Sequence, residues 1–319
     1  MADRKIMTVF GATGALGGSV ADIFLTDPTL KSEWTVRAVT RDITKDSAKK
    51  LQAAGAEVVT ADLNDKSTLV TAMTSASAVF AMTNYWEYMD AAIEIQQGKN
   101  IVDAAQAAGV AHLIFTSLPN VTELSKGALP NVYHFDSKAA VEAYARATGI
   151  PATFFLPAFF MSNFTPGKGM LRQAVADGVW ELAMPVPAAA PLPFFDTGDT
   201  GKFVKAAVLH RDELLGKRLL GATEYITFGA VVDGFKKVFP EAGKNARYVQ
   251  QTHDEYKGQL TKVGMPEVIA QELLENFLLF DQVGYYGGES LSETHSFVED
   301  KLTTWGEFIK NSPKFAGLQ

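Results

Sequence analysis

No cysteine occurs anywhere in the 319 residues. That absence excludes a disulfide scaffold, a thiolate nucleophile and thiolate metal ligation, although it does not fix the compartment. Long apolar runs are missing as well: the longest, Ile150 to Phe160, is broken by Pro151 and Pro157 and cannot span a bilayer. Positive charge is in deficit, with 29 Lys plus Arg against 36 Asp plus Glu and no basic stripe. Direct nucleic-acid binding is therefore not expected, because phosphate neutralisation supplies most of that affinity. His112, His210, His253 and His295 are scattered without ligand spacing, so no metal site is expected. Neither His-Glu-x-x-His nor Gly-x-Ser-x-Gly is found, which removes the zinc-protease and serine-hydrolase signatures. Met-Ala-Asp-Arg-Lys leads straight into the first apolar run, leaving no room for a signal or transit peptide. The expected location is the cytoplasm, with access to the nucleus.

What is present is 47% hydrophobic residues, ample for a core, and one informative loop. Residues 9 to 18 read Val-Phe-Gly-Ala-Thr-Gly-Ala-Leu-Gly-Gly, an apolar strand running through Gly11, Gly14 and Gly17 into the helical pattern Ser19 to Leu25. A dinucleotide pyrophosphate must approach backbone N–H groups at a helix N-terminus, where any Cβ would intrude and the helix dipole favours negative charge. The loop Gly11, Thr13, Gly14, Ala15, Leu16 and Gly17 is thus the expected phosphate cradle, and its G-x-x-G-x-x-G spacing is the short-chain dehydrogenase form.

Strand and helix signals then alternate. Thr8 to Phe10, Thr35 to Val39, Glu57 to Thr60, Ala78 to Met82, His112 to Thr116 and Ala152 to Leu156 are short β-rich runs. Helical patterns at Gly18 to Thr26, Asp46 to Ala54, Lys66 to Thr74, Met89 to Ala108 and Asp136 to Thr148 separate them, with Gly55, Gly109 and Gly149 at C-cap positions. Six parallel strands joined by right-handed crossovers predict an α/β, doubly wound Rossmann sheet with helices on both faces, its ligand at the carboxyl ends of the strands. After Pro157 the rhythm breaks into a Phe- and Pro-rich stretch, then returns to helix at Gly201 to His210, Ile226 to Phe239, Pro266 to Leu279 and Lys301 to Ile309. The expected division is a nucleotide domain over residues 1–157, with a return of 196–212, and a smaller mixed substrate- or partner-side domain over 158–319, partly interleaved with it.

Cofactor choice turns on the end of the second strand. An acidic residue there would hold the ribose 2′-hydroxyl of NAD; the tip here is Arg41, whose guanidinium suits the 2′-phosphate of NADP(H). Asp42 is the competing candidate, for a ribose hydroxyl. Asp62 and Leu63, past the third strand, lie where an adenine would be contacted, although Asp62 also suits a turn or helix N-cap.

The glycine loop, Val39-Thr-Arg41, Thr83-Asn-Tyr-Trp-Glu87, His134-Phe-Asp-Ser-Lys138, and Leu156-Pro157 followed by Asn163-Phe164 together resemble the NmrA-like family, atypical relatives of the short-chain dehydrogenases. The resemblance covers nearly the whole chain, weakening between Gly167 and Pro193. It implies NADP(H) as cofactor and cofactor contacts from Thr83, Asn84, Tyr85, Lys138, Pro157, Phe160 and Asn163. It implies also a redox-responsive regulator, with some relatives being true reductases. A working short-chain dehydrogenase uses Tyr-x-x-x-Lys on one helical face; in this chain the lysine is Lys138 and the residue four before it is His134. Tyr133 sits one residue earlier, about 100° around a helix. His134 is either a packed, hydrogen-bonded histidine or the proton donor in place of the phenol. Ser117, at the end of the fifth strand, stands where such enzymes keep a substrate-orienting serine.

Two roles remain open on these residues. One is an NADP(H)-binding regulator that meets a protein partner, with Leu273 to Phe280 and Tyr285-Tyr286 either part of that surface or a core helix. The other is an NADPH-dependent reductase of a small quinone, carbonyl or enone, using Lys138 with Tyr133, His134 or Ser117. The missing phenol favours the regulator.

Overall fold

The computed structural model describes residues 4–167 and 169–319. Seven strands form one parallel sheet: β1 (Lys5–Val9), β2 (Trp34–Thr40), β3 (Glu57–Thr60), β4 (Ala78–Ala81), β5 (Leu113–Thr116), β6 (Ala152–Pro157) and, after a long excursion, Arg218–Gly221. The excursion contains β7 (Phe159–Phe160), β8 (Leu171–Gln173), β9 (Trp180–Met184) and β10 (Pro191–Phe195), which makes Arg218–Gly221 strand β11; β12 (Glu224–Thr227) and β13 (Arg247–Gln250) follow. The order across the large sheet is β11-β6-β5-β4-β1-β2-β3. Every residue of β4, β5 and β6 is buried, the continuous apolar run expected of parallel strands covered on both faces. Two three-stranded sheets, β12-β10-β7 and β13-β9-β8, make up the smaller mixed part.

The expected six strands are all present; the seventh, β11, is an addition. Its Arg-Leu-Leu-Gly is too short to stand out by alternation and is recruited because β6 offers it a free edge. Between β1 and β4 the chain reverses its direction of winding, so the crevice for a ligand opens beyond their carboxyl ends. The helix Thr200–Leu209 packs on Ala15–Thr26, and Ser19 Oγ donates to Gly198 O while accepting from Gly201 N. Among the described residues no helix is long and apolar enough to cross a membrane.

His112 ties the base of the sheet. The Thr153 hydroxyl spends its proton on Leu214 O at 2.9 Å, so His112 Nε2, 2.8 Å away, is the donor to it. Burial pulls the His112 pKa from 6.5 down to about 4, with Arg211 adding to the effect. Between those values the unfolded chain binds a proton that the folded chain refuses, so stability falls as pH falls through that window, by about 3 kcal/mol from this group. Urea unfolding of His112→Gln across the same window is expected to be flatter by that amount; an unchanged acid limb contradicts the assignment.

Candidate nucleotide and substrate site

The glycine loop leaves β1 with Phe10 N bonded to Phe80 O and turns at Gly11, whose φ of +65° suits glycine. Gly14 N reaches Gly11 O at 2.8 Å, and the helix Ala15–Thr26 opens immediately. Its first closing bond is Gly18 N to Gly14 O, which leaves the N–H groups of Ala15, Leu16 and Gly17 without an intrahelical partner and available to an anion. No acidic residue sits in that first turn to compete. A Cβ at Gly17 would lie 2.5 Å from the Gly11 and Phe10 carbonyl oxygens, so the loop closes against the helix only with glycine there. Thr13, Gly14 and Ala15 are exposed, whereas Leu16 is buried and reaches the cavity described below.

Beyond β2, Arg41 is 71% exposed and pairs with Glu87 on the short turn Tyr85–Glu87. Asp42, the competing ribose ligand, is committed to its own turn: its carboxylate accepts from Thr44 N at 2.8 Å and Thr44 Oγ1 at 2.6 Å, and these bonds hold its pKa below the usual range. Asp62 is likewise a turn residue, accepting from Asn64 N at 2.9 Å and Nδ2 at 3.0 Å. Leu63 lies beside it, its carbonyl capped by Asn100.

At the carboxyl ends of β4, β5 and β6 lies a cavity of about 370 Å³. Met82, Thr83, Asn84, Tyr85 and Trp86 follow β4; Thr116 ends β5; Pro157, Phe160 and Asn163 come from the end of β6 and just after it. His134 and Lys138 face it from the first turns of the helix Tyr133–Thr148, and Asn276 and Phe277 from the helix Glu267–Gln282. Two buried carboxylates organise these groups. Glu94, 2% exposed, accepts from Thr83 Oγ1 at 2.7 Å, Ser137 Oγ and Lys138 Nζ. Glu272, fully buried, accepts from Tyr85 Oη at 2.8 Å, His134 N at 2.9 Å and His134 Nδ1 at 2.6 Å. Glu275 beside it takes Asn131 N at 2.7 Å. Glu272 caps the helix Tyr133–Thr148 from a distant segment, since Val132 at its N-cap offers no side-chain acceptor, and Glu275 holds Asn131 just ahead of the cap.

Because Glu272 fixes the Nδ1 proton, the neutral His134 ring is left with Nε2 as an acceptor. Burial lowers the His134 pKa, an effect only partly offset by Glu272. The Tyr85 hydroxyl is pushed well above its usual value by burial and by Glu272.

The four expected catalytic residues are not brought together. His134 and Lys138 line the cavity. Ser117 does not: it is fully buried and its hydroxyl donates to Glu142 at 2.5 Å. Thr116, one residue earlier in the extended chain, has the opposite orientation and reaches the cavity. Tyr133 also turns away, donating to Asn131 Oδ1 at 2.9 Å, as its position on the helix requires. Glu94, Glu272, Thr116 and Asn276 escaped the sequence reading, and the spacing of no local motif marks them. The segment Leu273 to Phe280 is core: Phe277, Leu279 and Phe280 are at most 1% exposed, while Tyr285 and Tyr286 donate to Pro157 O and Leu156 O. Among the described residues no cluster fit for a metal occurs.

A family model described as the NmrA-like family matches residues 3–309. The chain is 32% identical over 310 residues to the NmrA-like family domain-containing oxidoreductase cpsB of Aspergillus campestris, covering 92% of this chain and 88% of that one. Its fold is similar to that of NmrA, a negative transcriptional regulator solved in complex with NADP, with TM-score 0.78, 22% identity and coverage of 97% and 95%. It is similar also to the triphenylmethane reductase of Citrobacter sp. complexed with NADP(H), with TM-score 0.75, 23% identity and coverage of 96% and 99%.

Proposed function

The chain belongs to the NmrA-like family, and from that premise we propose that it is an NADPH-dependent reductase of a small, planar, largely apolar carbonyl, quinone or enone. The observation that carries this is the cavity beyond β4 to β6, walled by aromatic side chains and faced by Lys138 and His134. The apolar segment Leu273 to Phe280, one candidate for a regulator's partner surface, is core, which takes away that support for the regulator.

The glycine loop fits a dinucleotide: the N–H groups that open the helix at Ala15, Leu16 and Gly17 have no intrahelical partner, and Gly17 leaves no room for a side chain between loop and helix. Gly11 to Gly17 would hold the pyrophosphate, Arg41 the 2′-phosphate, Lys138 the ribose, and Pro157, Phe160 and Asn163 the nicotinamide side. When bound, the cofactor supplies a hydride to the substrate carbon. The chain supplies the rest. Lys138 spends one proton on Glu94 and has two left, one for the ribose and one that meets the substrate oxygen as charge develops there, transfers to it and is replaced from solvent. His134, neutral and locked by Glu272, orients a hydroxyl or water at Nε2.

Turnover tests the reading: NADPH oxidation with menadione, benzaldehyde or 2-cyclohexen-1-one is expected, and Lys138→Met should lower kcat about 100-fold or more. NADPH binding without turnover of any acceptor favours the regulator instead. Selectivity is tested separately. Arg41→Asp removes a charge-assisted contact of about 1.5–3 kcal/mol and adds repulsion, so calorimetry should show NADPH affinity falling at least tenfold more than NADH affinity. Equal losses for both contradict the 2′-phosphate assignment.

A further inference from the structure

Buried polar groups are almost always hydrogen-bonded, because one left without a partner has given up its water for nothing. Four buried side-chain atoms among the described residues break that rule: Thr116 Oγ1, Thr223 Oγ1, Gln251 Oε1 and Asn276 Nδ2. Two of the four, Thr116 and Asn276, stand on the wall of the same cavity, and they come from separate parts of the chain. Thr116 is 2% exposed at the tip of β5, and Asn276 is 4% exposed on the helix Glu267–Gln282. Around Asn276 the chain shows that it can satisfy polar groups when it needs to. Glu272 and Glu275, on the same helix, have six hydrogen bonds between them. An apolar residue at 276 would fit a helix whose neighbours Phe277, Leu279 and Phe280 are core, so the amide is retained at a cost.

We propose that Asn276 recognises the substrate, its amide bonding the oxygen of a conjugated carbonyl compound, with the Thr116 hydroxyl as a second polar contact. The proposal rests on the reductase reading for the chemistry at the substrate carbon, and it specifies what that reading leaves open, how the acceptor is held. Neither group is supplied by the glycine loop or by the Arg41 turn, so neither belongs to the expected phosphate sites. Amide orientation is free to follow the ligand, since Nδ2 has no bond to break and turning the amide exchanges donor and acceptor. Aromatic walls fix the shape of the acceptor: Trp86 lies 4.8 Å from His134, and Phe159 packs edge-on to Phe277. Such walls favour a flat molecule of one or two fused rings. An acceptor with a single oxygen then lies between Asn276 and the Lys138 ammonium.

Asn276→Leu preserves volume and removes the amide. With menadione, benzaldehyde and 2-cyclohexen-1-one as acceptors, kcat/KM is expected to fall at least tenfold, mostly in KM. NADPH affinity by calorimetry should stay within twofold, and Tm should hold or rise because an unpaired buried amide has been replaced by an apolar side chain. A variant that keeps wild-type kcat/KM overturns the proposal. Should the wild type turn over none of these acceptors, the reductase reading fails by itself. Binding of 2-naphthamide to the protein saturated with NADP+ then decides the site: binding lost in Asn276→Leu supports it, while equal or absent binding overturns it. Thr116→Val, which keeps the shape and removes the hydroxyl, provides the same readout if Asn276→Leu does not fold.

Discussion

Glu272→Ala is expected to destabilise the protein by at least about 3 kcal/mol, because each of three buried donors left without its acceptor costs about 1–3 kcal/mol. No exposed surface softens the loss, because the carboxylate is fully buried. Three donors depend on it: the Tyr85 hydroxyl, the His134 backbone N–H and His134 Nδ1. They belong to the loop after β4 and to the start of the helix that presents Lys138, so the deletion also loosens the two walls of the cavity. Glu272→Gln keeps an acceptor while adding an N–H that meets three donors, and should cost less than the alanine. Chemical denaturation checks the order; an alanine variant within about 1 kcal/mol of wild type, the net worth of one ordinary hydrogen bond, would remove Glu272 from its organising role.

Gly17→Ala should abolish tight nucleotide binding. The added Cβ would sit 2.5 Å from the backbone of Gly11 and from Phe10 O, which are not flexible side-chain ends, so the loop must move away from the helix. Moving it misplaces the N–H groups that would meet the pyrophosphate, each charge-assisted bond being worth about 1.5–3 kcal/mol. Losing two of them weakens NADPH binding about 100-fold or more, while overpacking alone costs about 1–3 kcal/mol of stability. NADH should suffer equally, since the pyrophosphate is common to both. That equality separates this variant from Arg41→Asp. Retained NADPH affinity in Gly17→Ala would place the nucleotide elsewhere.

The glycine loop and the first six strands were legible because their signals are local: glycine spacing, β-rich runs and C-cap glycines lie within a dozen residues of what they specify. The start of the helix bearing Lys138 was not. Its pattern suggests Asp136, but the helix begins at Tyr133, where the capping carboxylate is Glu272, whose hydrogen bond to His134 N spans 138 residues. The same distance hid the site's charge balance, since nothing near Lys138 in sequence announces Glu94 as its partner. Ser117 lies one position from the residue that reaches the cavity, and Tyr133 turns away as its place one residue before His134 implies. At a strand tip one residue reverses the face, so Thr116 holds the place expected of Ser117, and on a helix one residue turns the side chain about 100°, so His134 and not Tyr133 shares the face of Lys138. Asn276 was visible only as one letter in an apolar helix; its meaning lies in the bond it lacks.

Hydride transfer itself is the direct test of the account. NADPH deuterated at nicotinamide C4, in each stereochemical form, would be incubated with the protein and menadione, benzaldehyde or 2-cyclohexen-1-one, and the product examined by mass spectrometry. The aldehyde and enone report the label, since a quinone product loses it to solvent. The account predicts deuterium on carbon from one form only, at a rate that collapses in Lys138→Met. Tight NADPH binding with no label in any product, and no consumption of cofactor, would contradict it.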